Sequence, residues 1–338
     1  MNIVRNDNEF LWNKITAKGS YEWWYFDCIS DSTDYSLVVI LYSGFPFAPA
    51  YHKDINKGKD MCSLDFPGVT LCLYKGNRKV INIHRTMKDI KYTGKGVSIK
   101  TPGNILLERK NDGSQHIVIE TSSLYRNKSF VCELNFFPIQ NLNNQILPEL
   151  SGIKDHFWKP ANPKGFITAD INIYKKNKKI ENIYIKGSGY NDQNWGFVPI
   201  YHEISEWNWG RFHSDELNGI YFDVEYLNGY DERFSKLILY DNNGKLVYSG
   251  KASFFYNKKR NYFYLNYGKE VKIESENISI IVNCIDKVDN GPFYIRFLSD
   301  FKINYNGKNI TAKGFTEYVS PGRLKNRFLY PFISLKLK

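Results

Sequence analysis

The chain has 338 residues, a formal charge of +11 and an aromatic load of 25 Tyr, 23 Phe and 7 Trp. That length is more than one core usually serves, so two domains are expected, and so many flat rings suit pleated sheets and wide apolar pockets. The charge does not read as a nucleic-acid footprint, because Lys outnumbers Arg about three to one and the basic residues are scattered.

The N-terminal Met1-Asn2-Ile3-Val4-Arg5-Asn6-Asp7-Asn8 lacks the apolar core of a signal peptide, and no stretch reaches the eighteen or so apolar residues of a membrane helix. A cytoplasmic, soluble protein is expected. Next comes Ser20-Tyr21-Glu22-Trp23-Trp24-Tyr25-Phe26-Asp27, which sets large rings beside carboxylates. Period-two alternation follows at 35–42, 69–74, 116–121, 129–137, 219–226, 236–240, 277–285, 292–299 and 332–337. In Phe166 to Tyr174, Ile167, Ala169, Ile171 and Ile173 alternate with polar residues, as in a strand with one wet face. Asp112-Gly113, Asn243-Gly244 and Asn306-Gly307 read as hairpin turns. The basic runs Lys175-Lys176-Asn177-Lys178-Lys179 and Lys258-Lys259-Arg260 read as solvated turns. Phe45-Pro46-Phe47-Ala48-Pro49-Ala50-Tyr51-His52 is too irregular for a strand and reads as a buried connector or a lid. Sustained helical periodicity is scarce, so an all-β protein of antiparallel barrels or sandwiches is expected.

At an offset of 184 residues, Glu22-Trp23 aligns with Glu206-Trp207 and Tyr42 with Tyr226, a weak echo of duplication. The junction is expected near 180–188, giving domains 1–185 and 186–338. Cys28, Cys62, Cys72, Cys132 and Cys284 are odd in number and form no Cys-x-x-Cys, which fits free thiols in a reducing compartment.

No His pairs with Cys or Asp at metal-ligand spacing, and no phosphate loop, dinucleotide fingerprint or nucleophile elbow is present. Neither a metal nor a cofactor is expected. What remains is acid among aromatics. Asp192 follows Tyr190 by two residues, so on an extended segment they share a face with Asn194, while Asn191, Gln193 and Trp195 face the other way. His156 and Trp158 stand in the same relation. Should these faces meet, desolvation would lift Asp192 from ~3.9 to about 7, which requires roughly 4 kcal/mol of differential destabilisation. A neutral Asp protonates an alkene, and indole faces steady the cation by about 0.5–2 kcal/mol each. The alternative is structural: core aromatics, and a turn whose Asp and Asn satisfy backbone donors.

Glu-Trp-Trp-Tyr-Phe at 22–26, Gly-Tyr-x-Asp-x-Asn-Trp-Gly at 189–196 and Trp-x-Trp-Gly-Arg at 207–211 resemble the hydroxyneurosporene synthase (carotenoid hydratase) and AttH-like family. The resemblance spans most of the chain. It implies two tandem lipocalin-like antiparallel β-barrels with a hydrophobic pocket in or between them, no cofactor, and a small lipophilic isoprenoid or polyene substrate. It further implies acid catalysis, with Asp192 as proton donor, His156 as its partner or the orienter of water, and Trp158 and Tyr190 as cation stabilisers. Glu22, Trp23, Trp24, Tyr25, Asn194, Trp195, Trp207, Trp209 and Arg211 are expected to bind the substrate, with Arg211 also paired to Glu22 or Glu206. Hydratase, cyclase and pericyclase chemistry, of lyase or isomerase type, all suit such a pocket, and so does a non-catalytic carrier. A lipophilic substrate suggests transient contact with bilayers.

Overall fold

The computed structural model describes residues 12–87, 105–123, 127–139, 155–227 and 233–333, with the backbone of three short strands at 2–3, 90–93 and 96–99. Among the described residues, a first sheet holds β1 (Asn2–Ile3), β2 (Tyr21–Ser30), β3 (Tyr35–Ser43), β4 (Gly68–Lys75), β5 (Arg78–Thr86) and β6 (Ile90–Thr93). It continues through β7 (Gly96–Ile99), β8 (Ile105–Arg109), β9 (Gln115–Ser122), β10 (Lys128–Pro138), β11 (His156–Lys175) and β12 (Lys178–Gly196). A second sheet holds β13 (Ile204–His213), β14 (Leu217–Tyr226), β15 (Phe234–Asp241), β16 (Leu246–Gly250) and β17 (Ser253–Arg260). Its remaining strands are β18 (Asn266–Ser275), β19 (Ile278–Asn290), β20 (Tyr294–Tyr305) and β21 (Lys308–Val319).

The first sheet runs β5-β4-β3-β2-β12-β11-β10-β9-β8-β7-β6, with β1 parallel to β11, and the second runs β16-β15-β14-β13-β21-β20-β19-β18-β17. The two orders are the same plan: a four-strand meander whose first strand pairs with the last strand of a returning meander. Among the described residues, the second lacks only counterparts of β1, β6 and β7. Register sharpens the echo seen in the sequence. Trp23 lies opposite Tyr42 and Trp207 opposite Val224, so the Glu-Trp match holds while Tyr226 falls two residues out of step, because four residues link His213 to Asn218 where six link Ile29 to Ser36.

Each sheet wraps on itself. Ile81 and Ile83 of β5 share one core with Ile105 and Leu107 of β8, although these strands lie far apart in the sheet order. Residues of β16 and β17, the two edges of the second sheet, likewise meet around Phe212, Leu237 and Ile280. A third apolar layer lies where the sheets face each other and draws on both. The chain is therefore all-β and lipocalin-like in both halves.

Four sequence expectations change. The division at 185/186 falls inside β12, and the chain leaves the first sheet only after Gly196, crossing the turn Ile200–His202 before β13. Residues 332–337 do not begin as a strand: Pro331 lies in a helical turn, Tyr330–Ile333, and 334–338 lie outside the described residues. Pro49 opens a helix, α1 (Pro49–Asn56), whose first turn suits the fixed φ of proline and which buries Tyr51 and His52. Lys258-Lys259-Arg260 close β17 instead of forming a turn. The Lys176-Asn177 and Asn306-Gly307 turns hold as expected, with φ of 49° and 62°, and of 51° and 81°. Among the described residues, no helix is long and apolar enough to cross a membrane.

Candidate active site between the sheets

β12 lies between β2 and β11, and the register sets one face of this trio. Tyr25 opposes Asp192, Trp23 and Trp158 both oppose Asn194, and His156 opposes Gly196. Directly opposed residues point the same way, so these side chains and Tyr190 share the face turned toward the second sheet. Trp207, Trp209 and Arg211 alternate along β13 and come from the other side. The Trp209 ring centre lies 5.6 Å from that of Tyr25 and 5.3 Å from that of Tyr190. Trp207 stacks on His156 at 6.1 Å, and Trp158 on Phe222 at 5.4 Å.

Asp192 is the polar centre of this layer. Its Oδ2 accepts hydrogen bonds from Trp158 Nε1 (3.0 Å) and the Tyr190 hydroxyl (2.8 Å), and its Oδ1 accepts from Asn194 Nδ2 (2.9 Å). All three donors are neutral. Burial pushes its carboxyl up to about 8, against the pull of the Trp158 and Tyr190 hydrogen bonds and with a further push from Glu317 and Asp27. Asp289, equally buried, shows what a cation does: burial pushes it up, but Lys79 and Arg296 outweigh that and hold it at about 2. The duplication makes the contrast internal. Glu317 opposes Trp209 as Asp192 opposes Tyr25, and it accepts from Arg296 Nε at 2.8 Å. Arg296 opposes Glu317 on β20, whereas beside Asp192 the ladder on β11 is interrupted between Lys159 and Asn162. One repeat thus holds an acid paired with arginine, the other an acid without one.

His156 lies elsewhere in the layer. Its Nδ1 is 2.6 Å from the Tyr21 hydroxyl, while its buried Nε2 has no hydrogen-bond partner among the described residues. Burial pushes the ring down to about 3, so it is neutral at ordinary pH. Gly196 makes this pair possible, since a Cβ there would lie 2.5 Å from the Tyr21 ring. Tyr21 was absent from the sequence expectations, although it begins the same alternating series as Trp23, Tyr25 and Asp27. The donors to Asp192 do not include His156, whose register partner Gly196 is four residues, or ~13 Å, along β12. The two are therefore not direct partners.

Three expected residues face away. Glu22 and Trp195 oppose each other on the other side of the sheet, and Trp24 belongs to the first sheet's own core. Glu22 accepts from the Asn13 backbone (3.2 Å), Asn13 Nδ2 (2.8 Å) and Gln193 Nε2 (2.7 Å), and burial pushes it up to about 8. Trp195 stacks on Phe157 at 5.4 Å. Arg211 pairs with neither Glu22 nor Glu206 but with Asp27, both being fully buried. The reason is facing: Glu22 points into the first sheet's wrap, and Glu206 bonds Tyr318 and lies 3.6 Å from Arg233. Asp27 and Arg211 are equivalent positions under the 184-residue offset, as are Tyr25 and Trp209. The repeats therefore meet across these residues as two subunits meet in a self-complementary interface. A shallow polar groove of about 930 Å³ over Ser253, Glu274 and Asn304 shares no residue with this constellation.

Tandem lipocalin-like sheets with a buried acid-and-aromatic layer between them define the class of protein. The structure is similar to that of CghA solved with Sch210972, with TM-score 0.62, 12% identity and coverage of 94% of this chain and 97% of that one. It is also similar to kievitone hydratase from Nectria haematococca, with TM-score 0.58, 11% identity and coverage of 94% and 93%. In sequence, the profile of the family described as "Carotenoid hydratase CrtC" matches residues 54–338, and the chain belongs to that family. A relative from Chlorobaculum tepidum, called hydroxyneurosporene dehydrogenase, is 28% identical over 357 residues, spanning 100% of this chain and 92% of its own.

Proposed function

We propose that the protein is a hydratase that adds water across a carbon–carbon double bond of an isoprenoid or polyene, with Asp192 as the acid. One observation carries this reading: Asp192 is buried, receives three neutral donors and, among the described residues, has no ion pair to hold its charge. In the reaction, the Asp192 O–H bond breaks as a C–H bond forms at the less substituted alkene carbon. The cation at the neighbouring carbon is bounded by the rings of Trp158, Tyr190, Tyr25 and Trp209, each worth about 0.5–2 kcal/mol. Water adds there, and the oxonium proton returns to the Asp192 carboxylate, so the enzyme is regenerated and the substrate gains one water. No cofactor takes part in these steps. His156 lies too far along the layer to hold that water; its Nε2, left free among the described residues while Nδ1 meets the Tyr21 hydroxyl, is offered to a more distant part of the substrate.

The experiment is mass spectrometry of lipophilic extracts from cells making the protein and supplied with candidate polyenes. A product 18 mass units heavier than its precursor is expected. A product two units lighter would favour the chemistry in the Chlorobaculum relative's name, an isomer of equal mass would favour a cyclase, and an unchanged bound molecule a carrier. Each of these would displace the hydratase reading.

A further inference from the structure

Of the large apolar side chains among the described residues, the three most exposed are Tyr262 (91%), Phe328 (87%) and Tyr264 (72%). They come from two segments far apart in sequence that meet at one corner. Arg323 ties the segments together, donating to the Phe263 carbonyl at 2.7 Å and the Tyr264 carbonyl at 3.3 Å, and the Phe263 and Phe332 rings lie 5.8 Å apart. Exposing such rings costs free energy that a protein free in water has no reason to spend. Their setting is cationic: 259–264 and 321–333 contain Lys259, Arg260, Arg323, Lys325 and Arg327 and no acidic residue.

The corner also leads inward. Arg323 donates to the Pro292 carbonyl at 2.7 Å, the next residue Phe293 stacks on Phe47 at 5.5 Å, and Phe47 lies 5.9 Å from Trp23. Trp23 is 6.2 Å from His156, inside the layer between the sheets. A row of rings from Phe293 to His156, tied to the surface corner through Arg323 and Pro292, thus leads toward the buried layer.

We propose that this corner is a docking surface for a bilayer with anionic headgroups. Two tyrosines projecting from a hairpin end and a phenylalanine from the neighbouring helical turn, in a setting of Lys and Arg, match the boundary between headgroups and acyl chains, where a ring with a polar tip and a cation are both accommodated. The ring row then leads from the membrane toward the site. That second role rests on the function proposed above, whereas the docking does not.

The test is flotation of the full chain with vesicles of equal parts phosphatidylglycerol and phosphatidylcholine, compared with phosphatidylcholine alone. The protein is expected to float with the mixed vesicles and to bind about tenfold or more weakly to the neutral ones or in high salt. Tyr262→Ser with Phe328→Ser, and separately Lys325→Glu with Arg327→Glu, are each expected to weaken binding about tenfold or more. Both pairs should leave the melting temperature and the turnover of detergent-dispersed polyene unchanged. Failure of the wild type to float, or equal flotation of the variants, overturns the proposal. So does sedimentation showing a dimer that Phe328→Ser dissolves, which would make a second copy the occupant. Vesicle binding without turnover of any polyene would leave the docking surface standing and remove the proposed function.

Discussion

Asp192→Asn is expected to lower turnover by about 10²–10⁴-fold, the usual contribution of a general acid, while the chain still folds. The substitution preserves volume. An Asn oxygen at the Oδ2 position accepts from Trp158 and Tyr190 as the carboxyl does, and the amide meets Asn194, whose own amide accepts when turned over. What disappears is the acidic proton. The same proton sets two pH dependences. The acid form persists up to about 8 in the folded protein, so wild-type turnover is expected to fall as pH rises through that value. For stability, a carboxyl raised on folding keeps a proton that the unfolded chain has already released. The folded state therefore loses ground as pH climbs from about 4, the unfolded carboxyl value, to about 8. Asp192→Asn should flatten this decline without abolishing it, because Glu22 is raised to about 8 as well and keeps its share. Single-turnover rates and denaturant unfolding at pH 5 and pH 8 measure both. A variant within tenfold of wild type would remove Asp192 from the chemistry.

The second large effect concerns the contact between the repeats. Arg211→Met is expected to destabilise the protein by about 3–5 kcal/mol, because it strands the buried Asp27 carboxylate against the second sheet. Burial already lifts that carboxyl above its ordinary range with the Arg211 guanidinium pulling it down, so removing the guanidinium leaves the upward push opposed only by the weaker pulls of Tyr25 and Arg296. Asp27→Leu combined with Arg211→Met should recover most of the loss, since an apolar pair of similar volume needs no charge compensation. Denaturant titration of the two single variants and the double variant supplies the cycle. A cost below about 1 kcal/mol for Arg211→Met would show that the pair contributes little to holding the sheets together.

Much of this was legible in the sequence, and the exceptions have physical causes. Strands with one wet face announce themselves, as Ile167 to Ile173 do. The C-terminal half of β12 is buried on both faces. There Asn191, Asp192, Gln193 and Asn194 lose the alternation that marks a strand and imitate a turn, so the run of β12 past the 185/186 division is not legible in the sequence. The spacing of Tyr190, Asp192 and Asn194 was nonetheless enough to place them on one face, because extended backbone alternates whatever its surroundings. The same rule, applied to β2, separates Trp23 and Tyr25 from Glu22 and Trp24, which motif-level reading had grouped together. Asp27 as the partner of Arg211 depends on how two sheets pack, and no local pattern encodes that. Yet both residues sit at the offset shown by Glu22-Trp23 and Glu206-Trp207, so a duplication taken seriously would have pointed to them. Tyr21 is of the same kind: its role follows from Gly196 leaving room for its ring beside His156.

The central claim is that Asp192 carries a proton at neutral pH. Infrared difference spectroscopy of wild type against Asp192→Asn, in water and in deuterium oxide, reads that proton directly. The account predicts a protonated-carboxyl C=O band at pH 7 that is present in wild type, missing in Asp192→Asn, shifted by deuterium and lost as pH rises through about 8. A carboxylate signal for Asp192 at pH 7 would contradict it.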